Sequence, residues 1–151
     1  MKNILIVEDD VYKASAVMNG VKQYFREKRE EINLFAESNM ESAYNCIRKL
    51  NIKEATKLDL IILDIHFPLS AKDFNGNDEA GFLLLDKLKN TDVATPVVIN
   101  TSFFFNLRTL QKHYPIVIDY IHYKNQNNLH DELKNALTII SEEKEEEIEM
   151  N

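Results

Sequence analysis

Five short apolar stretches rich in β-branched residues recur at residues 3–7, 32–36, 58–63, 96–101 and 116–121, about one strand-plus-helix unit apart. ILIV, LDLIIL and PVVI are apolar almost throughout, as parallel strands covered on both faces are and one-sided hairpins are not. Between them the periodicity is helical. Residues 10–28 place Ala14, Val17, Met18, Val21, Tyr24 and Phe25 on one stripe. A second helix opens at Ser38 with Glu41 three residues on, the spacing of a capping box, and runs to Leu50 through Ala43 and Ile47. A third is expected over 78–89 with Leu84, Leu85 and Leu88 inward, a short fourth over 106–113, and a last over 127–140 carrying Leu129, Leu133, Ala136, Leu137 and Ile140. With right-handed crossovers this alternation makes an α/β, doubly wound five-stranded parallel sheet, whose ligand site lies beyond the carboxyl ends of its strands.

A chain of 151 residues, 44% hydrophobic, suits one domain with a sizeable core and leaves no room for a separate output domain. The expected division is a domain over 1–140 and an acidic tail over 141–151. Residues 142–149 hold six Glu and one Lys, a solvated run that accounts for most of the formal charge of -7. That balance argues against nucleic acid as a partner. No apolar run approaches the roughly 18 to 20 residues of a membrane span, and Glu8, Asp9 and Asp10 arrive before a signal-peptide core develops. Cys46 is the only cysteine, so neither an internal disulfide nor a cysteine-based zinc site is expected, and it reads as a small buried hydrophobe. A cytoplasmic location follows as the expectation.

Function is then sought at the strand ends. Glu8 and Asp9 follow the first strand and Asp64 follows the third, and in a doubly wound sheet these strands are neighbours. Three converging carboxylates repel one another unless a cation neutralises them. Mg²⁺ suits such a site, because it is hard, takes a few carboxylates and keeps coordination sites for phosphate oxygens. Thr101 and Ser102 end the fourth strand, where a hydroxyl can donate to an anion, and Lys124 follows the fifth with a mobile point charge. A carboxylate flanked by a metal, a hydroxyl and an ammonium can accept a phosphoryl group, making Asp64 an aspartyl phosphate. Taken singly these residues are ordinary caps, turn residues and solvated lysines; their order along the strands is what carries the reading.

The motifs ILIVEDD, DLIILDIHFP, GFLLLDKLK and TPVVINTS resemble the response-regulator receiver domain of two-component signalling over residues 2 to 140. The resemblance implies a flavodoxin-like (βα)5 fold with strand order 2-1-3-4-5. It makes Asp64 the phosphoacceptor, and Glu8, Asp9, Asp64 and the backbone carbonyl of His66 the Mg²⁺ ligands. Thr101 is similar to the switch hydroxyl, Lys124 to the lysine that pairs with the phosphoryl group, and Ser102 to the small residue that leaves phosphate access. Such a domain takes its phosphoryl group from a histidine kinase or phosphotransfer protein, catalyses only its own phosphotransfer and dephosphorylation, and signals to a downstream protein.

Departures from that pattern sharpen the expectations. Lys124 is followed by Asn125 where the family has proline, and the aromatic switch position falls on Ile121, with Tyr120 and Tyr123 beside it; a local bulge would restore a tyrosine. Residues 68–81 form a longer connection than the family's short turn, read as a lid or partner surface over Asp64 anchored by Phe74. His66 places an imidazole beside the acceptor, either as a rim residue or as help to an attacking water. His113, His122 and His130 are scattered and suggest no metal site. Phe103, Phe104 and Phe105 cannot all face one core, so an aromatic edge suited to a homodimer or partner is expected beside the fourth helix and fifth strand. Two alternatives stand beside the receiver. One is a phosphorylation-independent pseudo-receiver. The other is a Mg²⁺-dependent phosphatase with an aspartate nucleophile, opposed by His66 standing where such enzymes carry a second carboxylate.

Overall fold

The computed structural model describes residues 1–124 and 126–149. Five strands alternate with five helices: β1 (Lys2–Val7), α1 (Val11–Glu27), β2 (Ile32–Glu37), α2 (Met40–Asn51), β3 (Leu60–Leu63), α3 (Ala80–Asn90), β4 (Val97–Thr101), α4 (Leu107–His113), β5 (Val117–His122) and α5 (Gln126–Glu149). All four pairings are parallel and the order is β2-β1-β3-β4-β5, so the expected doubly wound sheet is the one observed. A single 3₁₀ turn over Glu54–Thr56 lies between α2 and β3.

Alternation along the strands divides the core into two layers. Leu5, Val7, Ile61, Leu63 and Ile99 meet Ala43 and Ile47 of α2, Leu84, Leu85 and Leu88 of α3, and Leu110 of α4. Ile4, Ile6, Ile62 and Val98 meet Val17, Val21 and Phe25 of α1 and Leu129, Leu133 and Leu137 of α5. This explains the nearly unbroken apolar strands: β1 and β3 are buried at every position.

Local chemistry shifts several boundaries. The N-cap of α2 is Asn39, not Ser38: its Oδ1 accepts from Ser42 N at 2.8 Å. Asn caps as well as Ser, so the choice falls to the residue whose backbone is extended at the helix start. The next two N–H groups of that helix, Met40 and Glu41, donate to the carbonyls of Pro68 and Leu69, which docks the start of the long connection onto α2. Helix α3 begins at Ala80 rather than Asp78, whose side chain is engaged with His66. Helix α5 continues to Glu149, past the expected end at Ile140, because Glu and Lys are good helix formers. The last two residues of the expected acidic tail, and Asn125 beside Lys124, lie outside the described residues. Cys46 is half-buried against the α2–α3 layer, and burial with Glu37 nearby pushes its thiol up, away from reactive thiolate.

Between Val97 and Val98 the β4–β5 register shifts. Val97 faces Val117 and Val98 faces Asp119, leaving Ile118 as the extra residue. Ile121 then points into the α1–α5 layer, fully buried, while Tyr120 turns to the α4 side.

Candidate phosphoryl-acceptor site

Ladder hydrogen bonds continue one residue past the strand ends and fix the acids. Glu8 N donates to Glu37 O and Asp64 N to Val7 O, each at 3.0 Å. One oxygen each from Glu8, Asp9 and Asp64 lies within 4.8 Å of the others, the only group of three metal-ligating side chains among the described residues. Glu8 and Asp64 are buried and Asp9 is exposed. Asp64 Oδ1 accepts from Ile65 N at 2.7 Å, which sets the side-chain orientation. His113, His122 and His130 form no metal group among the described residues.

The cluster opens on a cavity of about 490 Å³, lined by Glu8, Asp9, Asp10, Lys13, Asp64, His66, Asp78, Ser102, Phe103, Tyr123 and Lys124. Ser102 and Lys124 reach its wall. Thr101 does not: it is fully buried at the end of β4, its Oγ1 accepting from Phe103 N at 3.4 Å. Lys124 is exposed, and among the described residues its ammonium makes no ion pair with the acids.

The cation that does pair with the acids is Lys13. Its Nζ lies 2.9 Å from Glu8 Oε1 and 3.5 Å from Asp64 Oδ2, and it donates to Asn100 O at 3.3 Å. The ammonium also stands 4.9 Å from the centre of the Tyr123 ring. Sequence reasoning passed over it, although the signal was present: Lys13 is one turn before Val17, on the stripe that continues through Val21 and Tyr24.

The long connection reaches the cavity differently from expectation. Phe74 is fully exposed and anchors nothing over Asp64. Instead Asn77 pairs with Phe67 in a short antiparallel bridge, Asp78 Oδ1 bonds His66 Nδ1, and Gly76 packs on the other side of that ring, where an added Cβ would overlap Nε2. The loop thus holds His66 at the mouth of the cavity. Of the three phenylalanines, Phe105 turns inward against Phe82 and Tyr120, Phe103 is partly exposed and Phe104 is exposed above His122. The Tyr120 hydroxyl donates to Phe103 O at 2.5 Å and accepts from Phe105 N at 3.3 Å, tying the β4–α4 loop to β5.

Electrostatics at the acids call for a cation. Burial first, and the Asp64 charge second, push the Glu8 carboxyl up to about 8 against the opposing pull of Lys13. Glu8, Asp9 and Asp64 each offer an oxygen to one place, where Mg²⁺ would be held. The donor set, all hard carboxylate oxygen, fits the ion. The raised Glu8 also has a sign that can be checked. Its folded value lies above the ordinary 4.5, so the folded state keeps a proton that the unfolded chain has released. The associated stability is full below about pH 4.5 and is lost as pH rises through about 8. Without divalent metal, Tm should fall by about 5 °C or more between about pH 5 and pH 9. Millimolar Mg²⁺ should restore more of it at the higher pH, because metal and proton compete for the same oxygens. Thermal scans with and without Mg²⁺ check this; an equal metal increment at both pH values would contradict it.

No protein-family model matches the chain, and no curated protein matches it. Its fold is that of the response-regulator receiver domains, which recur among the solved structures it resembles. The Mn²⁺-bound form of response regulator Rcp1 is 23% identical, with a TM-score of 0.64 over 89% of this chain and 91% of that one. The phosphorylated cyanobacterial phytochrome response regulator RcpA is 20% identical, with a TM-score of 0.64 over 89% and 90%. TrrA of Thermotoga maritima, solved with Mg²⁺ and BeF, is 18% identical, with a TM-score of 0.60 over 93% and 99%. No helix among the described residues is long and apolar enough to cross a membrane.

Proposed function

We propose that the chain is a phosphorylatable receiver, taking a phosphoryl group onto Asp64 from a histidine kinase or phosphotransfer protein. The observation that carries this reading is the convergence of Glu8, Asp9 and Asp64 at the carboxyl ends of adjacent strands, in a fold shared with receivers described as metal-bound and as phosphorylated. Glu8, Asp9, Asp64 and the His66 carbonyl would hold Mg²⁺, whose contribution is to neutralise phosphoryl oxygens. The rest of the work falls to the chain. Ile65 N orients the Asp64 carboxylate, a carboxylate oxygen forms the new P–O bond, and the bond from phosphorus to the donor nitrogen breaks with its electron pair leaving on the imidazole.

The reading covers the domain over 1–140, with the acidic tail beyond it. Output passes through protein contacts, and the exposed Phe103 and Phe104 mark the α4–β5 face as the surface for a downstream protein or a second copy. The pseudo-receiver alternative finds support in one observation, the lysine already seated between Glu8 and Asp64. Incubation with Mg²⁺ and acetyl phosphate separates the readings. A receiver yields an acid-stable, base-labile adduct that decays slowly, a phosphatase releases phosphate with rapid turnover, and a pseudo-receiver does neither.

A further inference from the structure

We propose that the Lys13 ammonium, delivered from α1, is the cation that pairs with the phosphoryl group on Asp64, a role that does not require Lys124. The inference rests on the receiver reading and names the cation of that same site. Lys13 is a buried charge in contact with both buried acids and with the carbonyl of Asn100 near the end of β4. An ammonium is strongly destabilised in such a place without partners, and here its partners are the acceptor itself and the acid beside it. Geometry makes the placement natural. Residue 13 opens the buried stripe of α1, so its flexible stem runs inward and the charge arrives at the sheet edge.

Lys124 is differently placed. Its backbone N–H is held by Asn128 Oδ1 at 2.9 Å and the residue is exposed. Tyr123, immediately before it, presents its ring to the Lys13 ammonium.

With acetyl phosphate as donor, a carboxylate oxygen of Asp64 attacks phosphorus, the bridging P–O bond breaks, and acetate leaves with the electron pair. A monoanionic side chain becomes a dianionic acyl phosphate. Lys13 gives up no proton in this step; its fixed positive charge offsets the negative charge the site gains.

The test uses the full chain as wild type, Lys13→Met and Lys124→Met. Adduct formation is measured with acetyl phosphate and Mg²⁺, and Mg²⁺ affinity separately by calorimetry. Lys13→Met should slow adduct formation by at least about tenfold. It should bind Mg²⁺ at least as tightly, since a competing cation is gone. Lys124→Met should slow adduct formation by a clearly smaller factor than Lys13→Met does. The proposal is overturned if Lys124→Met carries the loss, if Lys13→Met reacts like wild type, or if it loses adduct and metal affinity in the same proportion, as a merely structural residue would. Should Lys13→Met fail to fold, the Lys124→Met arm decides alone: retained adduct formation supports the proposal and its loss overturns it. A wild-type chain that forms no adduct sinks the receiver reading itself, an outcome distinct from a reactive wild type matched by Lys13→Met.

Discussion

Replacing Asp64 with Asn is expected to leave a folded protein that forms no detectable acyl phosphate. The carboxamide keeps an oxygen able to accept the Ile65 N–H now bonded at 2.7 Å, and the ladder bond from Asp64 N to Val7 O involves backbone alone, so the strand end stays in place. What disappears is one negative charge and the nucleophile we propose. The charge has two readable consequences. Glu8 loses the second cause of its raised carboxyl, so the fall in Tm with rising pH should flatten. One of the three carboxylates proposed to hold Mg²⁺ becomes neutral, which should weaken Mg²⁺ binding by about tenfold or more, or about 1.4 kcal/mol. Mass spectrometry of the acid-quenched reaction, with thermal scans in Mg²⁺, reads all three. An adduct persisting in Asp64→Asn would place the acceptor elsewhere.

Gly81→Ala should cost about 2–3 kcal/mol, some 5–10 °C in Tm, although Ala is ordinarily the better helix former. A Cβ at position 81 would lie 2.7 Å from both the carbonyl oxygen of Asp64 and the Cα of Ile65. These are backbone atoms of the strand end that cannot rotate aside. Gly81 N also donates to Ile65 O at 2.9 Å, so α3 is pinned against the peptide that follows Asp64 and cannot easily slide away. The displaced peptide is the one that carries Asp64, so Mg²⁺ binding should weaken along with stability. Differential scanning calorimetry and Mg²⁺ titration check both; a Tm equal to or above wild type would show that the helix moves freely there.

Much of this molecule is legible along the chain because the forces that select it are local or periodic. Apolar runs such as LIIL have to be covered on both faces, and helical stripes such as Val17–Val21 have to be buried; strands and helices alternate once each pattern is recognised. Glu8, Asp9 and Asp64 were equally legible, since each follows directly on an apolar strand and adjacent parallel strands end on the same side. Where side chains choose among partners distant in sequence, the chain alone leaves the outcome open. Asn39 rather than Ser38 caps α2 because of the backbone conformation at that corner, and Asp78 leaves α3 to bind His66. The extra residue in β5 decides that Tyr120, not Ile121, faces α4.

The sequence by itself determined the fold and the acid cluster. Only the tertiary structure decided which cation meets that cluster. In one dimension Lys124 stands at a strand end and Lys13 is one more residue of an amphipathic helix. Once α1 packs on the sheet, burial of its stripe carries the Lys13 charge to the two acids, because a buried ammonium is stable only where opposite charge and carbonyl oxygen surround it.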